Sequence, residues 1–385
     1  MSRFAGKASL GTPGNENAPE SPFDWWLVTI VVVLLGIGLI MVLSSSGIVA
    51  EKIHDDKYFF FKKQVVFAGL GALGLCLAAL LPREWLYRLQ YPALLLALLL
   101  VAITLTPLAP TINGAKRWIS FGGFSIQPME FVKVAVALYL AYFMSTKQEL
   151  VKTFSKGVIP PFAVTGLFCL LLLLQPDFGS AVVLAGILFF MCLAGGTRAA
   201  YLFISLGMAV AGAVALVLTS GYRARRLMAF LDPFQDAHST GYQLVQSLYA
   251  LGLGGFSGVG VGASRQKMFY LPEAHNDFII AVLGEEMGFL GITLVMLLFA
   301  LFFWRCYRII MGQRNLRDRL SAFGISLVLA LGAGLNLAVV MGMAPPKGVP
   351  MPLLSYGGSN LLATMFCVGL MLNFSRSMER WNASS

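Results

Sequence analysis

Several short segments of this chain place ionisable side chains where the sequence changes from polar to apolar. LPEAHNDFIIAVLGEE, Leu271 to Glu286, holds Glu273, His275, Asn276 and Asp277 just before a long apolar run. A carboxylate at the mouth of a membrane helix is costly, which points to proton transfer or to a substrate path. The plainer alternative for Asp277 is an N-cap of the helix that follows. Glu285 and Glu286 lie about two turns further on and need partners or protonation. In QPMEFVK, Glu130 and Lys133 are three residues apart, share one helix face and can pair. Such a pair either neutralises itself inside the membrane or walls a polar cavity. In QPDFGS, Asp177 can cap the next helix and also line a site. Lys116 and Arg117 of GAKRWI could bind phosphate, or anchor the loop at the interface beside Trp118. The small residues of Ser355-Tyr356-Gly357-Gly358-Ser359 permit close helix packing, or offer free N–H groups to an anion.

Other chemistries find little support. The three histidines, His54, His238 and His275, lack metal-ligand spacing. No nucleophile elbow surrounds a serine. The stretch LGLGGFSGVGVGAS permits tight or re-entrant backbone, but no strand–turn–helix context makes it a nucleotide loop. Cysteines 76, 169, 192, 306 and 367 each fall in or at the end of an apolar run and read as small buried hydrophobes.

The elements that must position these residues follow from composition. Of 385 residues, 58% are hydrophobic and 12% charged, and mean hydropathy is +0.78. A soluble chain this apolar would expose far too much hydrocarbon surface. Apolar residues run continuously, which excludes a β-barrel and predicts an all-α polytopic membrane protein. About ten transmembrane helices are predicted, over 24–46, 64–81, 88–108, 128–145, 158–175, 177–196, 199–219, 277–304, 321–343 and 356–375. Residues 1–22 read as a disordered cytoplasmic tail, 23–376 as one membrane domain and 377–385 as a second cytoplasmic tail. Lys and Arg favour the side of the termini once the long loop 220–276 is discounted, so both termini are expected inside. Loops 47–63, 109–127, 220–276 and 344–355 are then expected outside, with 220–276, between helices 7 and 8, the largest. The net charge of +10 fits topology and anionic lipid headgroups, and no nucleic-acid motif accompanies it.

GAKRWISFGGFSIQPMEFVK, QPDFG, LPEAHNDFIIAVLGEEMGFLG and PKGVPMPLLSYGGS, in this order, resemble the SEDS proteins of shape, elongation, division and sporulation. The likeness runs over residues 24–375. GASRQKMFYLPEAH with the GEE and PKG segments is closer to the division members than to the elongation members. Met129 stands where Ser is usual, which removes a hydroxyl from the cavity rim, and Asn276 stands where Thr is usual. The resemblance implies a peptidoglycan glycosyltransferase that polymerises lipid II on the outer face of the bacterial cytoplasmic membrane, at the division septum. It places the essential aspartate on Asp277 and puts Glu130 and Lys133 in a central polar cavity. It also implies a class B penicillin-binding protein of FtsI type as partner, alongside other division proteins. For such a reaction Asp277 is the candidate base. Arg117, Lys133, Arg265 and Lys267 are candidates to hold pyrophosphate, with a divalent cation, Mg or Mn, as a possible aid. Lys116, Gln175, Asp177, Ser264, His275, Ser355, Gly357 and Gly358 complete the candidate substrate-binding set with Glu130. Two rival readings stay open: a lipid II flippase, which should offer polar groups at both leaflets, and a non-catalytic division scaffold.

Overall fold

The computed structural model describes residues 23–377, except 108, 112–114, 122–123, 220, 222–227, 236, 238 and 240. The polar tail read over 1–22 lies outside the described residues, as does nearly all of 377–385. Helices account for most of the fold: α1 (Trp25–His54), α2 (Phe59–Leu80), α3 (Arg83–Thr104), α4 (Pro128–Thr146), α5 (Ile159–Leu174), α6 (Phe178–Ala194), α7 (Ala199–Leu218), α8 (Tyr242–Gly254), α9 (Ile279–Met311), α10 (Leu316–Val340) and α11 (Gly358–Ser375). Among the described residues, eight helices are long and apolar enough to cross a membrane, and Phe178–Ala194 and Ala199–Gly212 are shorter apolar helices. The chain is therefore a multi-pass membrane protein, and each predicted span coincides with one apolar helix.

Local sequence sets the helix ends. Asp24 accepts from Leu27 N at 3.1 Å to cap α1, and Asn315 accepts from Arg317 N at 3.0 Å to cap α10. Pro128 occupies the first turn of α4, where its missing N–H is no loss. Helices α4 and α11 are buried along most of their length and form the centre of the bundle. One apolar cluster joins α1, α2, α9, α10 and α11, and a second joins α3, α4, α5 and α6 to α10. Cys192, Cys306 and Cys367 are buried, whereas Cys76 departs from expectation and faces outward from α2.

Two features inside the predicted loops correct the sequence reading. A short antiparallel hairpin, β1 (Ile119–Phe121) with β2 (Phe124–Ile126), precedes α4; its signal was Gly122-Gly123 between two apolar triplets. Within 220–276, α8 packs against α9. Ser247 on α8 donates to the Val340 carbonyl at 2.9 Å. The middle of that segment is therefore packed helix, because Leu244, Ser247, Ala250 and Gly254 form a buried stripe of apolar and small residues.

Helix α9 is broken at Gly288, with φ 64° and ψ −162°. The glycine-rich segment fills the break with backbone hydrogen bonds: Val259 N to Glu285 O at 3.0 Å, Gly260 N to Glu286 O at 3.0 Å and Phe289 N to Gly255 O at 2.9 Å. A Cβ on Gly288 would press on the backbone of Gly258 and Phe256. The dense glycines thus serve backbone-to-backbone contact. This conformation belongs almost entirely to glycine and costs other residues about 1–3 kcal/mol. Gly288→Ala should lower the thermal unfolding midpoint of the detergent-solubilised protein by that order. Gly36→Ala on α1, where a Cβ meets open space, should leave the midpoint unchanged or raise it.

Candidate active site

The start of α2, the segment before α9 and the segment before α11 meet at one end of the bundle. Phe60, His275 and Tyr356 form an aromatic cluster, with centroids 4.9 Å apart for Phe60–His275 and 5.1 Å for Phe60–Tyr356. Tyr356 N donates to His275 O at 2.9 Å. Arg117 donates to the Pro176 carbonyl at 2.6 Å and lies 3.5 Å from the Asp177 carboxylate. Ser359 accepts from Gln127 N at 2.9 Å, which ties the hairpin segment to α11.

Asp277 lies two residues before α9. Its carboxylate is half-buried, and no hydrogen bond or ion pair reaches it among the described residues. The N-cap expectation for Asp277 is overturned: Phe278 occupies the cap position, and no side chain caps α9. Burial first, and the nearby Glu273 charge second, push the Asp277 carboxyl up to about 7. Burial also holds His275 below its ordinary value, against the opposing pull of Glu273. Asn276 donates to Glu273 at 2.6 Å. The main chain of Asp277 is held by Asn336, whose amide donates to the Asp277 carbonyl at 2.8 Å and to the Val349 carbonyl at 2.7 Å.

The segment PPKGVPMP joins Asp277 to the remaining polar groups. A Cβ on Gly348 would stand 2.8 Å from Asp277 Oδ2, so the backbone here passes close beside the carboxylate. On its N-terminal side, Lys347 donates from Nζ to the Gly179 carbonyl. Burial pushes the Lys347 amine down to about 8; Asp177 opposes this, while Lys133 and Arg117 add to it. Asp177 itself caps α6 as expected, accepting from Ser180 N at 3.1 Å and Ser180 Oγ at 2.8 Å. On the C-terminal side, Val349, Pro350 and Pro352 roof a cavity also lined by Glu130, Lys133, Asn360 and Thr364. Glu130 and Lys133 are buried and pair at 2.8 Å, so neutralising pair and cavity wall are one object. Arg117 and Lys347 thus meet at the Asp177 turn, within electrostatic reach of Lys133, next to a carboxylate that has no partner among the described residues. This arrangement suits a dianionic group held beside a general base.

Other candidates are placed differently. Lys267 is corrected as an anion ligand: its ammonium is enclosed by Glu286 at 2.8 Å, Ser44 at 3.0 Å and the Gly262 carbonyl at 2.7 Å. Ser264 is buried and donates to Glu285, whose carboxylate also accepts from Arg265 N at 2.9 Å. Glu285 and Glu286 therefore find their partners in the loop that they hold. The Arg265 side chain is exposed, and Lys116 is half-buried. Gln175 is buried and donates to the Val101 carbonyl at 3.1 Å, tying α5 to α3. The anion reading of Gly357 and Gly358 gives way to packing. Gly357 N donates to Gln64 at 3.3 Å, and Gly358 faces the Phe67 ring. Ser355 accepts from Met351 N at 2.8 Å and so shapes its own loop. Lys347, Gly348 and Asn336 escaped the sequence reading, although a lysine and a glycine between prolines at a span entrance were a usable signal.

Among the described residues, no three His, Cys, Asp or Glu side chains come together as a metal site.

Comparisons with known proteins give the family and the fold. The family of cell cycle proteins that groups FtsW, RodA and SpoVE matches residues 25–380. A probable peptidoglycan glycosyltransferase FtsW from Trichlorobacter lovleyi is 40% identical over 358 residues, covering 93% of this chain and 94% of the relative. Stage V sporulation protein E of Bacillus subtilis is 41% identical over 357 residues, covering 92% and 97%. A chain from the structure described as "Structural coordination of polymerization and crosslinking by a peptidoglycan synthase complex" superposes with a TM-score of 0.77 at 29% identity, covering 92% and 98%. The rod shape determining protein RodA of Thermus thermophilus superposes at 0.69 with 28% identity, covering 93% and 98%.

The buried pair gives a test of its own. Removing one partner of a buried ion pair costs about 3–5 kcal/mol, whereas a matched neutral pair costs little. Lys133→Ala should be destabilised by that amount in thermal unfolding, and the double variant Glu130→Gln with Lys133→Met should recover most of the loss.

Proposed function

The chain belongs to the FtsW, RodA and SpoVE family, the SEDS proteins, and is most like FtsW; from that premise we propose that it is a peptidoglycan glycosyltransferase that polymerises lipid II with Asp277 as general base. The observation that carries the assignment of the base is a carboxylate with no partner, pushed up to about 7, at the end of the bundle where the cations gather. A β-1,4 bond made from an α-linked pyrophosphate donor inverts the anomeric carbon. One displacement suffices: the acceptor 4-hydroxyl attacks C1, the C1–O bond to pyrophosphate breaks, and Asp277 takes the hydroxyl proton. Inversion needs no covalent nucleophile. A positioned base contributes roughly 10²–10⁴ in rate.

The departing pyrophosphate gathers negative charge. Arg117 and Lys347 supply the compensating charge, and fixed cations do this without reorganising in the transition state. Glu130 orients Lys133, and apolar grooves between helices hold the polyprenyl tails. The site faces the outer leaflet at the septum, with both termini in the cytoplasm. The partner is a class B penicillin-binding protein acting as transpeptidase, in line with the relative solved in a complex that joins polymerization to crosslinking.

The flippase reading requires the opposite end to open. That end is latched by Arg83–Asp318 at 2.6 Å and Arg305–Asp24 at 2.7 Å. Asn373 adds a bond to the Leu81 carbonyl at 2.7 Å. These part-buried pairs tie the helix ends together at that side, which favours chemistry on one side over passage through the bundle.

Purified Asp277→Asn protein, incubated with lipid II and its cognate transpeptidase, should make no glycan ladder on a gel while retaining the wild-type unfolding midpoint. Wild-type ladders from this variant would sink the base assignment. The pH profile supplies a separate check. Below about 7 the Asp277 carboxyl holds its own proton and cannot accept another, so kcat/KM should rise with pH through about 7. Above about 8 Lys347 loses its charge, so the rate should fall again. A rise centred near pH 4, the ordinary carboxylate range of about 3.9, would contradict the burial argument.

A further inference from the structure

Asp277 makes no side-chain hydrogen bond, yet a base must be held within a fraction of an ångström of its target. What holds it must therefore act on its backbone. Asn336, four residues before the end of α10, is 1% exposed. Its single amide nitrogen donates both hydrogens, one to the Asp277 carbonyl at 2.8 Å and one to the Val349 carbonyl at 2.7 Å. The amide orientation is forced, because the flipped form would set Oδ1 against two carbonyl oxygens. Oδ1 is buried with no partner among the described residues. An apolar side chain would avoid that desolvation cost, so the amide's contribution must lie in the two carbonyls that it grips.

Those carbonyls belong to different segments. One carries the carboxylate; the other follows Gly348, which touches that carboxylate, and Lys347, which sits at the Asp177 turn. We propose that Asn336 is a positioning residue that fixes the base on Asp277 and the cation on Lys347 in one register, by stapling their two backbones to the rigid helix α10. The proposal rests on the glycosyltransferase reading and adds to it the residue that aligns proton acceptor with leaving-group site. Without the staple, the Asp277 turn and the PPKGVPMP segment can move apart while both stay folded.

The test measures turnover per folded molecule with lipid II and the cognate transpeptidase. Asn336→Ala should lower kcat about 10²-fold, the typical penalty for misplacing a reactive group by about 1 Å, while KM changes less than about threefold. Asn336→Ser, which keeps one donor, should fall between this variant and the wild type. A purely packing role would lower yield and unfolding midpoint and leave kcat per folded molecule unchanged, and that result overturns the proposal. Should Asn336→Ala fail to fold, Asn336→Ser and Asn336→Thr carry the measurement. Each should lose about 10-fold or more in kcat, and wild-type kcat in both overturns it. Asp277→Asn assayed in parallel keeps the two claims apart. Full activity there removes the base itself, whereas a dead Asp277→Asn beside a fully active Asn336→Ala removes only the positioning role.

Discussion

A charge buried between membrane helices is costly unless an opposite charge or hydrogen bonds meet it where it stands. That constraint orders this structure. Glu130 takes Lys133, Glu286 takes Lys267, Asp318 takes Arg83 and Asp24 takes Arg305. Asp177 is shared between a helix cap and Arg117, and Glu285 is met by a serine and backbone N–H groups. Apart from Glu130 with Lys133, which lie within α4, these pairings join segments far apart in sequence or close a loop, so there neutralisation and assembly are the same act. Against that background Asp277 stands out because its carboxylate is left free of partners. A group that burial raises and nothing stabilises is poised to exchange a proton near neutral pH.

The PPKGVPMP segment makes this economy usable. It contributes little regular structure, yet its successive residues touch the Asp177 turn, the Asp277 carboxylate and the Glu130–Lys133 cavity. Its continuation at Met351–Ser355 is buried. Leu353 and Leu354 lie so close to α1 that Gly38 has no room for a side chain. Prolines suit such a path because they remove N–H groups that would otherwise need partners away from water.

Much of this was legible in the sequence. Continuous apolar runs located the spans, since helices are the economical way to satisfy backbone groups in hydrocarbon. Three-residue spacing disclosed Glu130 with Lys133, and QPDFG disclosed the Asp177 cap. The failures share a cause. Lys267 looked available because its partner, Glu286, is remote in sequence and met only through the broken helix. Asn336 is one polar residue in an apolar run, and its value depends on two carbonyls that no local pattern reveals. Lys347 read as one more loop lysine because its burial beside the Asp177 turn is tertiary. The hairpin and α8 were hidden inside segments classed as loops by polarity alone.

The break at Gly288 also bears on how the molecule meets bilayers of different thickness. Unbroken, α9 would run about 50 Å at 1.5 Å per residue, well beyond a hydrocarbon core of about 30 Å. Divided at Gly288, the portion from Phe289 to Met311 is about 35 Å long and can lean as the surrounding lipid thins or thickens. The glycine-rich loop bonds both sides of the break, Glu285 and Glu286 on one and Phe289 on the other, while Asp277 is held to α10 through Asn336. A change in the tilt of the long rod therefore bears on that loop before it bears on the carboxylate.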